Sequence, residues 1–376
     1  MPRETLHPLR LSAPGTERHL RVLEFGPPSG RPLVYIQASI HADEIPALAL
    51  AHRLEQQLTE LEAQEQITGR VRLVPVANPV GLDQVLLGRH QGRFEFSGGV
   101  NFNRNYPELG SALCERLQGK LSSDAESNTE MIRAQLRALL QESPPQSADQ
   151  EHKRILFEQA LDADMILDLH CDDEALLHLY TSSSGWEHFS TLAERMRIAV
   201  VMLADDSGGA SFDEALPGIW TTLQRTFPDV PIPAATVGCT IELRGENDVE
   251  ESLIHQDSEA LLESLRDWNV LKGPSVPLAP TPPKVVPLEA VDFPPAPVGG
   301  VVLWKKPLGS EVKQGELLAE IWVPGKALSA PVPIHARCDG LLFVRAKHRY
   351  VLAGKSLGKV CGSEPLPWRK GYLLNA

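Results

Sequence analysis

Two histidines and a glutamate stand where their side chains could hold a metal ion. His41 and Glu44 follow the apolar run LVYIQASI, and His170 follows the apolar run MILDL. Ligands that come directly after strands can converge at one edge of a sheet. Two imidazoles and one carboxylate are the protein ligands of many hydrolytic zinc sites, which keep one position open for water. A hydrogen-bonded loop histidine at each position is the alternative interpretation.

Two further acidic residues could complete such a site. Glu242 lies near the end of the run VGCTIELRG, where a carboxylate is costly unless it is paired or catalytic. A buried salt bridge to Arg244 is the alternative. Asp168 precedes His170 by two residues, so on a strand both side chains point to the same side and the carboxylate could orient the imidazole. A plain buried hydrogen bond would also explain Asp168.

A long segment without regular period, residues 78–107, contains Arg89, Arg93 and Arg104. Loops of this length in a compact protein are usually functional. Because a planar guanidinium suits carboxylates and developing oxyanions, the segment is a candidate site for anionic groups.

The elements that must position these residues alternate in type. Apolar runs predict strands at 31–38, 71–77, 165–169, 176–180, 198–203 and 236–243, and helical spacing predicts helices at 45–61, 127–140, 151–161, 187–196, 212–225 and 251–268. This alternation indicates an α/β fold with a mixed, largely parallel sheet and helices on both faces.

The end of the chain has a different composition. Residues 272–299 contain nine prolines, which predicts an extended connector. The following residues form short β-favouring runs between glycine turns, as in a small barrel or sandwich. We therefore predict a zinc-dependent hydrolase domain over 1–271, a Pro-rich linker over 272–298 and a small, barrel-like all-β domain over 299–376.

Composition excludes several classes of function. The 36 basic and 49 acidic residues give 36 − 49 = −13, which disfavours binding to nucleic acid or anionic lipid. The sequence contains no apolar run of 18 residues, so no transmembrane helix is predicted. The N-terminus has no apolar region of the kind found in secretory signals. Five cysteines without a C-x-x-C pair argue against a disulfide framework, so we expect a reducing, cytoplasmic location.

Four motifs of this sequence resemble those of the succinylglutamate desuccinylase/aspartoacylase family, a branch of the zinc-carboxypeptidase-like fold. In chain order they are H-A-D-E, N-P…N-F-N-R-N-Y-P, D-L-H and T-I-E-L-R-G. The resemblance spans residues 30–245. It implies that His41, Glu44 and His170 bind one Zn²⁺ ion and that Glu242 is the catalytic glutamate.

The same resemblance implies roles for the loop between 78 and 107. Asn103 and Arg104 match the pair that grips the carboxylate of the substrate. Arg93 is the best match for the arginine that polarises the scissile carbonyl, and Arg89 is the alternative. Asn101 replaces an aspartate found in some members, a difference that we expect to affect substrate contacts and not the zinc chemistry.

The tail has a resemblance of its own. The motif G-x-x-V-K-Q-G-E-L-L-A-E-I is similar to the half-barrel of biotinyl and lipoyl carrier domains. The nearby lysine, Lys326, is not preceded by the methionine usual in biotin carriers. We therefore expect a structural cap that narrows access to the zinc site.

Together these features predict a deacylase that cleaves the amide bond of a small N-acyl amino acid or related compound. Metal-activated water would attack, with Glu242 as general base and Arg93 at the oxyanion. The expected partner is a small anionic N-acylated substrate, without nucleic acid or membrane, and a homo-oligomer is compatible with the sequence. A zinc carboxypeptidase acting on peptides and a non-enzymatic zinc-containing ligand-binding protein remain alternatives.

Overall fold

The computed structural model describes residues 1–10, 13–279, 281–325 and 330–374, so Lys326 lies outside the described residues. Within these ranges, none of the helices has the length and apolar character needed to cross a membrane.

The strands are, in chain order, β1 (Arg3–Pro8), β2 (His19–Phe25), β3 (Leu33–Ala38), β4 (Arg70–Val74), β5 (Val85–Leu86), β6 (Arg89–His90), β7 (Met165–Asp172), β8 (Glu174–Ala175), β9 (His178–Thr181), β10 (Val200–Leu203), β11 (Val237–Gly245), β12 (Lys284–Pro287), β13 (Val291–Asp292), β14 (Gly300–Trp304), β15 (Glu311–Val312), β16 (Leu317–Trp322), β17 (Val332–His335), β18 (Gly340–Arg345), β19 (Tyr350–Val351) and β20 (Gly358–Cys361). The helices are α1 (Ile45–Ala63), α2 (Pro79–Leu82), α3 (Gly110–Leu117), α4 (Ala125–Glu142), α5 (Ala148–Ala160), α6 (Trp186–Arg195), α7 (Phe212–Thr226) and α8 (Glu251–Asp267). Each of the six predicted strands and six predicted helices is present, with boundaries shifted by a few residues.

Nine of the described strands form the central sheet, in the order β1-β2-β4-β3-β7-β11-β9-β10-β12. The block β4-β3-β7-β11 is parallel, and so is the block β9-β10-β12, while β11 pairs with β9 in the antiparallel sense. The prediction of a mixed, largely parallel sheet is confirmed. Because β3, β7 and β11 are parallel neighbours, the residues that follow or end them meet at one edge of the sheet.

Helices cover both faces of this sheet, as predicted. One apolar cluster joins the sheet to α1, α6 and α8, and a second joins it to α3, α4, α5 and α7. Strand β3 shows the cause, since Val34 and Ile36 pack into the first cluster while Leu33 and Tyr35 pack into the second. A strand whose alternate side chains are all apolar must be buried on both sides.

The C-terminal region is all-β, as expected from its sequence. Within the described residues its strands form two small sheets, β13-β20-β18-β15 and β17-β16-β14-β19, rather than a closed barrel. Apolar side chains from both sheets share one cluster, which includes Val312, Leu318 and Val360.

Two strands tie this region to the central sheet. Strand β8, directly after β7, pairs with β18 of the C-terminal region. Strand β12, inside the Pro-rich stretch, is the ninth strand of the central sheet and pairs with β10. An extended connector therefore describes only part of residues 272–298.

Candidate metal centre and catalytic cavity

The structure brings the three predicted metal ligands together. His41, Glu44 and His170 are buried, and one ligand atom of each lies within 4.8 Å of the others. The Nδ1 atom of His41 lies 2.9 Å from Glu44 Oε1, and the Nδ1 atom of His170 lies 2.8 Å from Glu44 Oε2. Two imidazole nitrogens and a carboxylate facing one point are a donor set that fits Zn²⁺.

Local backbone structure explains how the first two ligands are held. The chain leaves β3 through Ser39, whose φ is +67°, and Glu44 directly precedes α1. Ala42 N–H donates to the carbonyl of Gly92 at 3.1 Å. A Cβ atom at Gly92 would lie 2.1 Å from the backbone nitrogen of Asp43, so only glycine permits this close approach.

Both candidate histidine ligands have a polar neighbour at Nε2, although within the described residues Asp168 Oδ2 forms no hydrogen bond. The Nε2 atom of His41 lies 2.9 Å from Asn101 Oδ1, and the Nε2 atom of His170 lies 3.1 Å from Asp168 Oδ2. Glu44 Oε2 also accepts a hydrogen bond from the Cys171 N–H at 3.0 Å. The difference from family members at Asn101 therefore falls beside the candidate ligand His41, and the expectation that it affects only substrate contacts stays a prediction.

Asp168 is itself held in place. Its Oδ1 atom accepts a hydrogen bond from Gln37 Nε2 at 3.0 Å, and Gln37 Oε1 accepts one from the Tyr35 hydroxyl at 2.9 Å. Gln37 and Asp168 are direct cross-strand neighbours on β3 and β7. The side chain next to His170 is thus fixed by a buried polar chain.

Glu242 lies beside this cluster. On β11 it is the direct neighbour of His170 on β7 and of His178 on β9. Its Oε2 atom is buried without a hydrogen-bond partner in the described part of the chain. Burial raises the pKa of Glu242 to about 7.

The alternative explanation for Glu242, a salt bridge to Arg244, does not hold. Arg244 has a φ of +63° and donates to both carboxylate oxygens of Asp257, at 2.7 and 2.9 Å. The register of β11 against β7 shifts between Glu242 and Gly245. Because the strand is irregular there, the two charged side chains take separate directions.

The predicted arginines divide into two groups. Arg93 Nη1 lies 3.1 Å from Glu44 Oε1 and lines the cavity at the metal centre. Arg104 lines the same cavity, and burial and the nearby Arg93 lower its pKa. Arg89 lies in the exposed β5–β6 hairpin and is not part of the cavity wall.

Asn103 lies between the metal centre and α7. Its Oδ1 atom accepts a hydrogen bond from Phe212 N–H at 2.9 Å, which directs Nδ2 to within 3.2 Å of His170 Nε2. The structure therefore brings Arg93, Asn103 and Arg104 to the same place as the three ligand candidates and Glu242.

The cavity measures about 580 Å³ and has walls from both parts of the chain. The α/β part contributes the residues described above together with Tyr180, Asp213 and Glu214. The C-terminal part contributes a second set, namely Phe293, Pro295, Val344, Gly354, Lys355, Ser356, Gly358, Lys359, Arg369, Leu373 and Leu374. The cap expected from the sequence thus supplies part of the wall.

Sequence reasoning missed the contacts that dock this cap. Lys359 contacts Asp172 and donates to the Tyr180 hydroxyl at 2.9 Å. Arg349 donates to Glu174 at 2.7 Å, and Arg345 contacts the same carboxylate. The acidic run after His170 was the available signal, but its basic partners lie more than 170 residues away.

The family model of the succinylglutamate desuccinylase/aspartoacylase catalytic domain matches residues 31–267. The chain belongs to this family. Its members are hydrolases that remove acyl groups. No curated protein matches the chain.

Several solved structures share the fold over almost the whole chain. A family protein from Shewanella amazonensis SB2B is 24% identical, with a TM-score of 0.85 over 96% of this chain and 98% of that one. One from Shewanella frigidimarina NCIMB 400 is 22% identical, with a TM-score of 0.84 over 96% and 97%. The ectoine utilization protein EutE (DoeB) from Ruegeria pomeroyi, solved with product bound, is 17% identical, with a TM-score of 0.69 over 96% and 95%. The likeness thus includes the C-terminal β region.

Proposed function

We propose that this family member is a zinc-dependent deacylase that hydrolyses the amide bond of a small N-acyl amino acid or a related N-acylated compound. The observation that carries the proposal is the meeting of four side chains from three distant segments in one cavity. His41, Glu44 and His170 supply a metal-ligand set, and the partly buried Glu242 stands beside it.

The three ligand candidates define what the metal would do. A Zn²⁺ ion held by His41, Glu44 and His170 would supply Lewis acidity, which activates water and polarises a carbonyl group. The partners of these residues support that use, since both Nδ1 atoms face Glu44 while both Nε2 atoms face other side chains.

Glu242 would move the protons of the reaction. Its Oε2 atom would take a proton from the attacking water and later deliver it to the leaving nitrogen. In the metal-free protein burial raises the pKa of Glu242 to about 7, which makes this carboxylate a stronger base than an exposed glutamate. A buried carboxylate atom without a partner calls for an explanation, and a role in proton transfer supplies one.

The arginines would hold and stabilise negative charge. Arg93 would stabilise the charge that develops on the carbonyl oxygen. Arg104 and Asn103 would bind the substrate carboxylate and orient the acyl group. The chain is acidic overall, but the field inside a cleft is set by its own lining charges.

The size of the cavity favours a small substrate over a peptide. The cavity wall includes Lys359, Arg369 and Leu374 of the C-terminal region, and the volume of the cavity is about 580 Å³. A peptidase acting on long chains would need a groove that continues past this wall.

A hydrolysis screen with the zinc-loaded protein tests the proposal. N-acetyl, N-succinyl and N-formyl amino acids should be hydrolysed, whereas a matched series of blocked dipeptides should not. Exclusive cleavage of the dipeptides would favour the carboxypeptidase alternative. Absence of hydrolysis with stoichiometric zinc would favour a ligand-binding protein.

A further inference from the structure

We propose that Asn101 is a positioning residue of the metal centre, which fixes His41 in the form that binds metal through Nδ1 and does so without adding charge. The inference rests on the proposed function, because it assigns Asn101 a role toward the metal.

The orientation of the Asn101 amide follows from its two neighbours. The side chain is 5% exposed, and the same atom faces both the Asn103 N–H, at 2.9 Å, and His41 Nε2, at 2.9 Å. A backbone N–H can only donate, so this atom must be the amide oxygen. If the Asn101 amide nitrogen occupied this position instead, it would face the Asn103 N–H, and two donors would face each other.

The protonation of His41 follows in turn. Because Asn101 Oδ1 is an acceptor, His41 Nε2 must carry a hydrogen and donate it. The other nitrogen, Nδ1, faces Glu44 Oε1 at 2.9 Å and is then the atom with a lone pair for the metal. Asn101 thereby selects the ligand atom and the ring orientation of His41.

The choice of an amide over a carboxylate has a cost. Asn101 Nδ2 is buried and has no hydrogen-bond partner among the residues that the structure describes. Aspartate would offer the same acceptor oxygen to His41 and Asn103 and would leave no such donor unsatisfied.

Charge explains why the amide is nevertheless suited to this position. The cluster already contains three carboxylates, those of Glu44, Asp168 and Glu242. A carboxylate at 101 would be a fourth. It would make the His41 imidazole more basic and the centre more attractive to a cation. The two candidate histidine ligands thus have unequal neighbours, since His170 faces the carboxyl group of Asp168 and His41 faces an amide.

Two substitutions in the full-length protein separate the effects of orientation and charge. Asn101→Asp should bind zinc more tightly, by about 10- to 100-fold, and Asn101→Ala should bind it more weakly by a similar factor. The measurement is competition for zinc with a chromophoric chelator. The visible absorption spectrum of the Co²⁺-substituted protein should also change in both variants, because the ligand field at His41 changes.

Asn105→Asp is the matched control. Asn105 is exposed, lies four residues further along the same loop and has a φ of +60°, a conformation that aspartate tolerates. This variant adds the same charge without facing His41, so its zinc affinity and Co²⁺ spectrum should stay close to those of the wild type.

The outcomes are distinguishable. Equal zinc affinities for Asn101→Asp, Asn105→Asp and the wild type would overturn the role of Asn101 and leave the proposed function intact. A wild-type protein that binds no zinc would overturn both. If Asn101→Ala does not fold, Asn101→Asp still decides the question, because it retains the volume and the acceptor oxygen.

Discussion

The ammonium group of Lys359, on the last strand of the chain, contacts the carboxylate of Asp172, two residues beyond the candidate ligand His170. Both side chains are mostly buried, with 15% and 16% exposed. Burial opposes the charge on Lys359, but Asp172 and Tyr180 outweigh it and raise the pKa of Lys359. The C-terminal region is thus coupled to the strand that carries the candidate ligand His170.

Removing one member of this pair should destabilise the protein strongly. Lys359→Met leaves the buried Asp172 carboxylate with only His178, at 3.4 Å, as a side-chain partner, which should lower the free energy of unfolding by about 3 kcal/mol. Lys359→Met combined with Asp172→Asn should recover much of that loss. Urea unfolding of the wild type, both single variants and the double variant measures the coupling. Purely additive losses would show that the two groups do not interact.

Glu242→Gln should separate metal binding from catalysis. The amide keeps the size of the side chain but cannot take up the proton, so turnover should fall by about 10²- to 10⁴-fold. Zinc content by elemental analysis should stay stoichiometric. Near-normal turnover by this variant would remove Glu242 from its proposed role.

The same substitution should change the pH dependence of stability in the metal-free protein. The folded-state pKa of Glu242, about 7, lies above its ordinary value of 4.5, so the favourable protonated state is lost as pH rises between these values. The free energy of unfolding of Glu242→Gln, relative to that of the wild type, should therefore increase by roughly 1–3 kcal/mol as the pH is raised from about 5 to about 8. Chemical unfolding at both pH values measures this gain, and a pH-independent difference would contradict it.

Arg93 and Arg89 provide a matched pair. Arg93→Met removes a cation from the cavity and should lower kcat by about 10²- to 10³-fold under zinc saturation. Arg89→Met removes the same charge from an exposed hairpin and should leave kcat close to the wild-type value. Steady-state kinetics on the best substrate of the screen decides between them. The reverse result would restore the alternative assignment to Arg89.

His41→Ala should lose the metal. The variant keeps only one imidazole and one carboxylate of the ligand set, too few for a stable zinc site. Elemental analysis after dialysis should find the protein depleted of zinc, while far-UV circular dichroism should show the fold retained. Stoichiometric zinc in this variant would refute the proposed ligand set.

The sequence was sufficient to predict the frame of the site. Buried strands with helices between them imply a largely parallel sheet, and such a sheet gathers the ends of its strands at one edge. His41, Glu44 and His170 could therefore be placed together before any coordinates. The run around Glu242 was informative for another reason, since a carboxylate among apolar residues needs an explanation.

Other contacts could not be predicted because they depend on long-range packing. Asn101 reaches His41 from inside a long irregular loop, whose path no periodicity specifies. Lys359 meets Asp172 across a separation of 187 residues, and any of several basic residues in the tail could have paired with the acidic run. The polar edge strand β1 and the proline-flanked β12 lack the apolar patterns by which strands are recognised.

The position of β12 limits how the gene could be cut or recombined. A fragment ending at residue 271 would lose the outermost strand, leaving the hydrogen-bonding groups of β10 open to pairing with other chains. It would also lack the side chains that close one side of the cavity. The two parts of the chain therefore depend on each other. A C-terminal region exchanged between relatives would have to include β12.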